Sequence, residues 1–210
     1  MTSSSELIIV SANVNGLGIR SKKVQMMAHL ETHKPDVLFL IDTRLGKKGQ
    51  TEFVNLYPNY YFYFNSSSSQ SRGAVIAISR KCPINIQQSW HDEDNNVMMV
   101  FGSFDGENIL LCCIYGPNSD CPLFFNNLLD KIQSFGSDHI LLGGDWNLYL
   151  DPKIDSLHYT QVRTPGARKV ITDAIDNGGF LDAFRHINKN KVDFTWNRLW
   201  GARAPGLTFF

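Results

Sequence analysis

Three short apolar runs in this sequence are each followed, at once or after two glycines, by an asparagine or aspartate, and this feature restricts the fold more than any other. The runs are residues 7–12 (LIIVSA) before Asn13, residues 36–41 (DVLFLI) before Asp42, and residues 139–142 (HILL) before Asp145. Runs that are apolar on both faces are typical of strands buried inside a sheet. A rigid sheet holds the residues at its strand ends along one edge, so these polar side chains are predicted to meet there.

The segments between these runs carry helix signals. Residues 21–33 have apolar side chains at helical spacing, with Val24 in the apolar stripe. Residues 122–135 have the same spacing, and Thr164 before Pro165 is a typical helix start. A strand–helix–strand order of this kind predicts helices packed outside the sheets.

The middle of the chain is predicted to be antiparallel. Three consecutive strands are expected there, at Ala74–Ser79, Val97–Phe104 and residues 108–115. Asp105-Gly106 is a hairpin turn signal between the last two. The whole pattern predicts an α/β fold, a four-layered sandwich of two packed mixed β-sheets with outer helices. Because the sequence has neither a linker nor an internal repeat, residues 1–210 are predicted to form a single domain.

Composition and charge exclude few functions. The chain has 20 basic and 20 acidic residues, which disfavours nucleic-acid binding through bulk charge but allows a local basic rim around an acidic site. The four cysteines lack zinc-type spacing. We expect no membrane segment and no signal peptide, and therefore an intracellular protein. The nucleus is the expected location within the cell.

The polar strand ends suit a hard divalent cation. Carboxylate and amide oxygens are the ligands that Mg²⁺ and Mn²⁺ prefer, and such a cation binds phosphate oxygens at the same time. One strand-end residue alone is more often a turn or cap residue. Together, Asn13, Asp42, Asp145 and Asn147 predict metal-dependent phosphate chemistry at one edge of a sheet.

Ordered motifs along the chain resemble the signatures of a known family. They are residues 11–17 (SANVNGL), 38–44 (LFLIDTR), 114–118 (IYGPN) and 144–147 (GDWN). In this order they resemble the exonuclease III and apurinic endonuclease members of the endonuclease/exonuclease/phosphatase superfamily. Residues 72–78 and 194–196 are similar to elements of LINE-type non-LTR retrotransposon endonucleases, and the resemblance to that branch is the closer one.

The resemblance implies a role for each matching residue at the site. Asp42 takes the position of the metal-binding acid, and Asn13 belongs to the shell around metal and phosphate. Asp145 orients or deprotonates the attacking water, with Asn147 holding a phosphate oxygen beside it. Tyr115 hydrogen-bonds the scissile phosphate and favours its developing charge.

The resemblance also implies a deoxyribonuclease I-like fold and the partners of such an enzyme. Asn15 and Thr195 are expected to support the site from neighbouring positions. Mg²⁺ or Mn²⁺ is the implied cofactor, and double-stranded DNA is the implied partner. A reverse transcriptase domain is expected in the parent protein.

Two departures from the family pattern predict impaired activity. The family has Glu at the position of Asp42, and the shorter side chain sets the carboxylate about 1.3–1.5 Å further back, which is expected to weaken metal binding. The family also ends on a Ser-Asp-His signature, which residues 201–210 do not contain. None of the six histidines in the sequence takes the place of the histidine in that signature. The fold is therefore predicted to be truncated at its C-terminal strand.

Three functions stay open from the sequence alone. The first is a metal-dependent DNA endonuclease domain of a retrotransposon-derived protein, which leaves a 3′-hydroxyl. The second is an inactive remnant of that domain, which the two departures favour. The third is an apurinic-site repair nuclease, which needs loops that penetrate an abasic site, and the short loops of this chain argue against it.

Overall fold

The described part of the computed structural model comprises residues 6–70, 72–151, 155, 164–189 and 191, with the backbone of Leu207–Thr208. Thr195, and the strand predicted around it, lie outside these residues. The chain divides into two compact units. The first unit comprises Met1–Tyr115, Ser137–Asp145 and Pro205–Phe209, and the second comprises Gly116–Gly136, Trp146–Ala204 and Phe210. The single domain over residues 1–210 stays a prediction.

Two mixed sheets form the first unit. One sheet contains β1 (Ile9–Asn13), β2 (Val37–Ile41), β3 (Tyr60–Asn65), β4 (Ala74–Ser79) and β9 (Leu207–Thr208), in the order β3-β4-β2-β1-β9. The other contains β5 (Asn85–His91), β6 (Val97–Phe104), β7 (Glu107–Tyr115) and β8 (His139–Asp145), in that order. The pairs β1–β2 and β7–β8 are parallel, whereas the other paired strands are antiparallel. The predicted truncation at the C-terminal end stays a prediction.

Helices occur in both units. The first unit contains α1 (Arg20–Glu31) and α2 (Lys47–Leu56), and the second contains α3 (Pro122–Gln133), α4 (Pro165–Asn177) and α5 (Ala183–Ile187). In the second unit, α3 packs against α4. None of the helices in the described ranges has the length and apolar character needed to cross a membrane.

Strand β2 lies at the centre of two hydrophobic cores, which explains why it is apolar on both faces. Leu38 and Leu40 point to one side, where Met27 of α1 and Phe53 of α2 cover the sheet. The alternate residues, among them Phe39, point to the other side, into a core shared with β4, β6 and β7. The predicted α/β sandwich of two packed mixed sheets with outer helices is thereby confirmed.

Predictions for the middle strands were partly wrong. The Asp105-Gly106 hairpin is confirmed, since both residues have positive φ and β6 pairs with β7 in register across the turn. Strand β4, however, pairs with β2 and β3 in the other sheet, and β5 lies between it and β6 in sequence. The sequence gives a weak signal for β5 because this edge strand is largely exposed and polar.

The predicted apolar stripe of α1 needs one correction. Val24 is 45% exposed, while the side chain of Lys23 is only 1% exposed. The Lys23 ammonium donates a hydrogen bond to the Glu52 carboxylate of α2 at 2.5 Å, and this bond lowers the pKa of Glu52. An ion pair between two helices therefore overrides the apolar pattern of one of them.

Candidate active site

The carboxyl ends of four strands carry the polar residues that the sequence singles out. In the first sheet, Asn13 closes β1 opposite Ile41, and Asp42 follows β2 directly. In the second sheet, Tyr115 closes β7 opposite Asp145, which closes β8. Because each pair of strands is parallel, both members of a pair end at the same edge of their sheet.

A hydrogen bond joins these two edges. Asn13 Nδ2 donates to Asp145 Oδ2 at 2.7 Å, and Asn13 Oδ1 accepts from the backbone N–H of Asn15 at 3.1 Å. The second bond fixes which end of the amide faces the carboxylate. Asn13, Asn15 and Asp145 therefore form one connected group.

A salt bridge engages both oxygens of the Asp42 carboxylate. Arg44 Nε donates to Oδ1 at 2.9 Å and Nη2 donates to Oδ2 at 2.6 Å, in the two-pronged geometry that is the strongest between these groups. Nη2 also donates to Asn15 Oδ1 at 3.1 Å. The hydrogen bonds to Asp42 raise the pKa of Arg44. The Asp42 side chain is 7% exposed, so this carboxylate is buried, whereas the side chain of its counter-ion Arg44 is 37% exposed.

Unusual backbone angles make this short-range pair possible. Asp42 and Arg44 have φ values of 57° and 51°, in the left-handed region that non-glycine residues rarely adopt. Such conformations cost on the order of 1–3 kcal/mol each and occur mainly at functional sites. Backbone hydrogen bonds hold them here, from Gly16 N to Asp42 O at 2.7 Å and from Arg44 N to Arg72 O at 2.9 Å.

The Tyr115 phenol is surrounded by charged groups. Burial raises its pKa, and the negative charges of Asp42 and Asp145 raise it further, against the opposing effect of Arg44 and Arg72. The phenol is therefore protonated at neutral pH and can donate a hydrogen bond. Two carboxylates and two guanidinium groups thus act on the charge state of this hydroxyl.

Arg44 and Arg72 are the residues that sequence reasoning did not assign to the site. Arg72 is exposed, and its Nη1 donates to the Asp94 carbonyl at 3.2 Å and to Asn96 Oδ1 at 3.3 Å. Both arginines belong to motifs that the sequence makes visible. The spacing of Asp42 and Arg44 gives no usable signal, since both residues have left-handed rather than extended backbone.

Gly144 explains the glycine in the motif before Asp145. Its φ is 136°, and a Cβ at this position would lie 2.0 Å from the Ile114 carbonyl oxygen. Only glycine therefore lets β8 approach β7 closely at the strand end. This close approach places Asp145 opposite Tyr115.

Asn147 belongs to the second unit. Its Nδ2 donates to the Gly116 carbonyl at 2.7 Å, and its φ is 52°. In the same unit, the Trp146 ring stacks on Phe125 with a centroid distance of 6.1 Å. The predicted contact of Asn147 with a phosphate oxygen stays a prediction, as does the supporting role of Thr195.

The oxygen donors at the strand ends fit a hard cation in chemical type. Mg²⁺ is commonly held by one or two carboxylates with water completing its shell, and here Asp42 and Asn13 would hold it beside Asp145. Within the described ranges, no group of three or more His, Cys, Asp or Glu side chains could hold a metal. The fit therefore depends on few ligands, one of which, Asp42, is already paired with Arg44.

Comparisons with known proteins identify the class. The profile of the Endonuclease/Exonuclease/phosphatase family matches residues 10–207, so the chain belongs to this family. Its members are typically metal-dependent phosphodiester hydrolases, among them nucleases and phosphatases. An exodeoxyribonuclease from Bacillus subtilis (strain 168) is 24% identical over 93% of this chain and 81% of its own length.

Solved structures confirm the deoxyribonuclease I-like fold. An AP endonuclease from Archaeoglobus fulgidus is 22% identical and has a TM-score of 0.70, with coverage of 96% of this chain and 86% of its own. The 3′ phosphatase NExo from Neisseria, bound to a product DNA hairpin, is 19% identical and also has a TM-score of 0.70. That match covers 94% of this chain and 80% of the phosphatase. At these identities the similarity establishes a common fold.

The hydrogen bond between Asn13 and Asp145 should contribute measurably to stability. In a double-mutant cycle of Asn13→Ala and Asp145→Ala, we expect a coupling energy of about 1.5–3 kcal/mol, because the bond is partly buried and its acceptor is charged. Urea unfolding followed by tryptophan fluorescence measures it. The exposed pair Lys169–Asp173 is the matched control, with about 0.3–0.5 kcal/mol expected. A coupling no larger than the control would contradict the geometry.

Proposed function

We propose that this chain is a divalent-metal-dependent DNA endonuclease, which hydrolyses one strand of a duplex and leaves a 3′-hydroxyl. The proposal rests on one observation. The carboxyl ends of two parallel strands in one sheet meet the carboxyl ends of two parallel strands in the other. This arrangement brings together the Asp42 and Asp145 carboxylates and the protonated Tyr115 phenol. Carboxylates suit a hard cation and a water nucleophile, and a neutral phenol suits a phosphate oxygen.

Each residue would have a distinct part in the hydrolysis. Asp145, held by Asn13, orients a water molecule and accepts its proton as the water oxygen attacks phosphorus. The P–O3′ bond breaks, and the 3′ oxygen leaves as an alkoxide that takes a proton from solvent water to become the 3′-hydroxyl. Tyr115 donates a hydrogen bond to a non-bridging phosphate oxygen, whose negative charge grows in the transition state. Asp42 and Asn13 would hold the divalent cation, which would neutralise negative charge at the same phosphate when bound.

Arg44 and Arg72 supply positive charge for the DNA backbone. Both lie close enough to the Tyr115 hydroxyl to oppose the rise in its pKa. Guanidinium groups bind phosphate oxygens in a two-pronged fashion, and such contacts position a duplex without reading its sequence. A chain with a net charge of zero can thus still hold DNA at this edge.

Within this proposed function, the more specific assignment of the chain is the endonuclease domain of a retrotransposon-derived protein. The parent protein would then also contain a reverse transcriptase domain. Its support is the compact middle loops and the wording of the motifs at residues 114–118 and 194–196, which resemble the LINE-type enzymes. A 3′-hydroxyl at a nick is the primer that reverse transcription needs. This chemistry connects the proposed product with that assignment.

A second candidate function is abasic-site repair. It is favoured by the likeness to an AP endonuclease over 96% of this chain and to an exodeoxyribonuclease over 93% of it. The hydrolytic site would be the same in both functions. The difference lies in whether the substrate is an intact duplex or one with a missing base.

Nicking of supercoiled plasmid tests the proposed chemistry. We expect the wild-type chain to nick DNA with Mg²⁺ and not with EDTA, and Asp145→Ala to lower the rate about 100-fold or more because the water loses its proton acceptor. Asp173→Ala, which removes an exposed carboxylate of α4, should leave the rate unchanged. Equal rates for the two variants, or nicking that persists in EDTA, would exclude the proposed site.

Competition between two duplexes separates the two candidate functions. One duplex is intact and the other carries a single abasic site, and gel electrophoresis measures the cleavage of both in one tube. The proposed endonuclease should favour the abasic duplex by less than about tenfold, since its site reads the phosphate rather than the missing base. A larger preference would assign the chain to abasic-site repair.

A further inference from the structure

We propose that Arg44 competes with the divalent cation for the Asp42 carboxylate, so that the cation binds only when the guanidinium is displaced. This inference rests on the proposed function, which assigns a cation to Asp42. It adds that Arg44, which lies in the same sequence motif as Asp42, controls whether the cation binds there.

The contacts of Asp42 are the first argument. Its two oxygens are each engaged by Arg44, at 2.9 Å from Nε to Oδ1 and 2.6 Å from Nη2 to Oδ2. A cation bound to either oxygen would lie beside the guanidinium, and the two positive charges would repel each other. The carboxylate side chain is 7% exposed, so solvent does little to screen that repulsion.

The position of Arg44 is the second argument. Its backbone N–H donates to the Arg72 carbonyl at 2.9 Å, and Nη2 makes a further bond to Asn15 Oδ1 at 3.1 Å. These contacts hold the guanidinium on Asp42 in the absence of a cation. The Arg44 side chain is nevertheless 37% exposed, so it can move towards solvent without crossing the core.

The side-chain length of Asp42 is the third argument. Aspartate sets its carboxylate about 1.5 Å further back than glutamate would. In this position the carboxylate accepts hydrogen bonds from the Arg44 guanidinium on both oxygens, and both residues have left-handed φ. A guanidinium therefore neutralises the carboxylate, where the family pattern assigns this task to a metal ion.

Arg72 offers a matched control for Arg44. Both arginines have positive φ, and both act on the pKa of Tyr115. Arg72 Nη1, however, donates to the Asp94 carbonyl and to Asn96 Oδ1. Substituting either arginine removes one positive charge near the phenol, but only Arg44 substitution releases the two oxygens of Asp42.

Direct measurement of Mn²⁺ binding to the full 210-residue chain tests the competition. Electron paramagnetic resonance of free Mn²⁺ gives the affinity without DNA and without turnover. We expect Arg44→Gln to tighten Mn²⁺ binding about tenfold or more, because a charge-assisted two-pronged contact no longer has to be broken. Arg72→Gln should stay within about twofold of wild type, since its hydrogen bonds lie elsewhere. Equal affinities for wild type and Arg44→Gln, or equal gains in the two variants, would overturn the proposal.

Two further variants identify the contested ligand. In an Asp42→Asn background, Arg44→Gln should give no gain in Mn²⁺ affinity. A gain in affinity that persists in this background would overturn the proposal. If circular dichroism finds Arg44→Gln unfolded, Arg44→Lys replaces it, with a smaller gain expected because the two-pronged contact is lost while the charge stays. No gain in a folded Arg44→Lys variant would then overturn the proposal. Tighter Mn²⁺ binding by Arg44→Gln, together with a wild-type chain that fails to nick plasmid, would support the competition and reject the proposed function.

Discussion

The hydrogen bond from Asn13 to Asp145 is the contact on which the arrangement of the site depends. These residues close β1 and β8, which belong to different sheets, so the bond fixes how the two carboxyl-terminal edges meet. The positions of Asp42 and Tyr115 depend on the same bond. Asp42 follows β2, the parallel neighbour of β1, and Tyr115 closes β7, the parallel neighbour of β8. The core around β2 makes this possible, because a strand buried on both faces holds its end rigidly.

Charge balance is the second constraint. Two carboxylates and two guanidinium groups act on the Tyr115 phenol, and the Asp42 carboxylate is compensated by Arg44 within the chain. A buried carboxylate without a partner would be costly, so Arg44 stabilises the site in the absence of a cation. The same contact opposes the cation that the proposed chemistry needs. Stability and metal binding thus depend on one carboxylate with two alternative partners.

The sequence predicts much of this arrangement, because strand ends are easy to recognise. The apolar runs before Asn13, Asp42 and Asp145 indicated that these residues meet, and the structure brings them together with Tyr115. The salt bridge to Arg44 was not predicted, since it depends on left-handed backbone at two non-glycine residues. Helix α1 shows the same limit, because its inward-facing Lys23 depends on Glu52 in another helix. Contacts fixed by backbone periodicity can be derived from the sequence, whereas contacts fixed by a distant partner or by rare φ angles cannot.

Anomalous diffraction from crystals of the wild-type chain soaked in Mn²⁺ tests the central claim most directly, because it locates the cation without relying on activity. The claim is that the strand ends carrying Asn13, Asp42 and Asp145 form the metal-dependent hydrolytic site. The predicted result is an anomalous peak next to the Asp42 and Asp145 carboxylates, with the Arg44 guanidinium turned away from Asp42. A peak elsewhere in the molecule, or Arg44 still on Asp42 without a peak at saturating Mn²⁺, would contradict it.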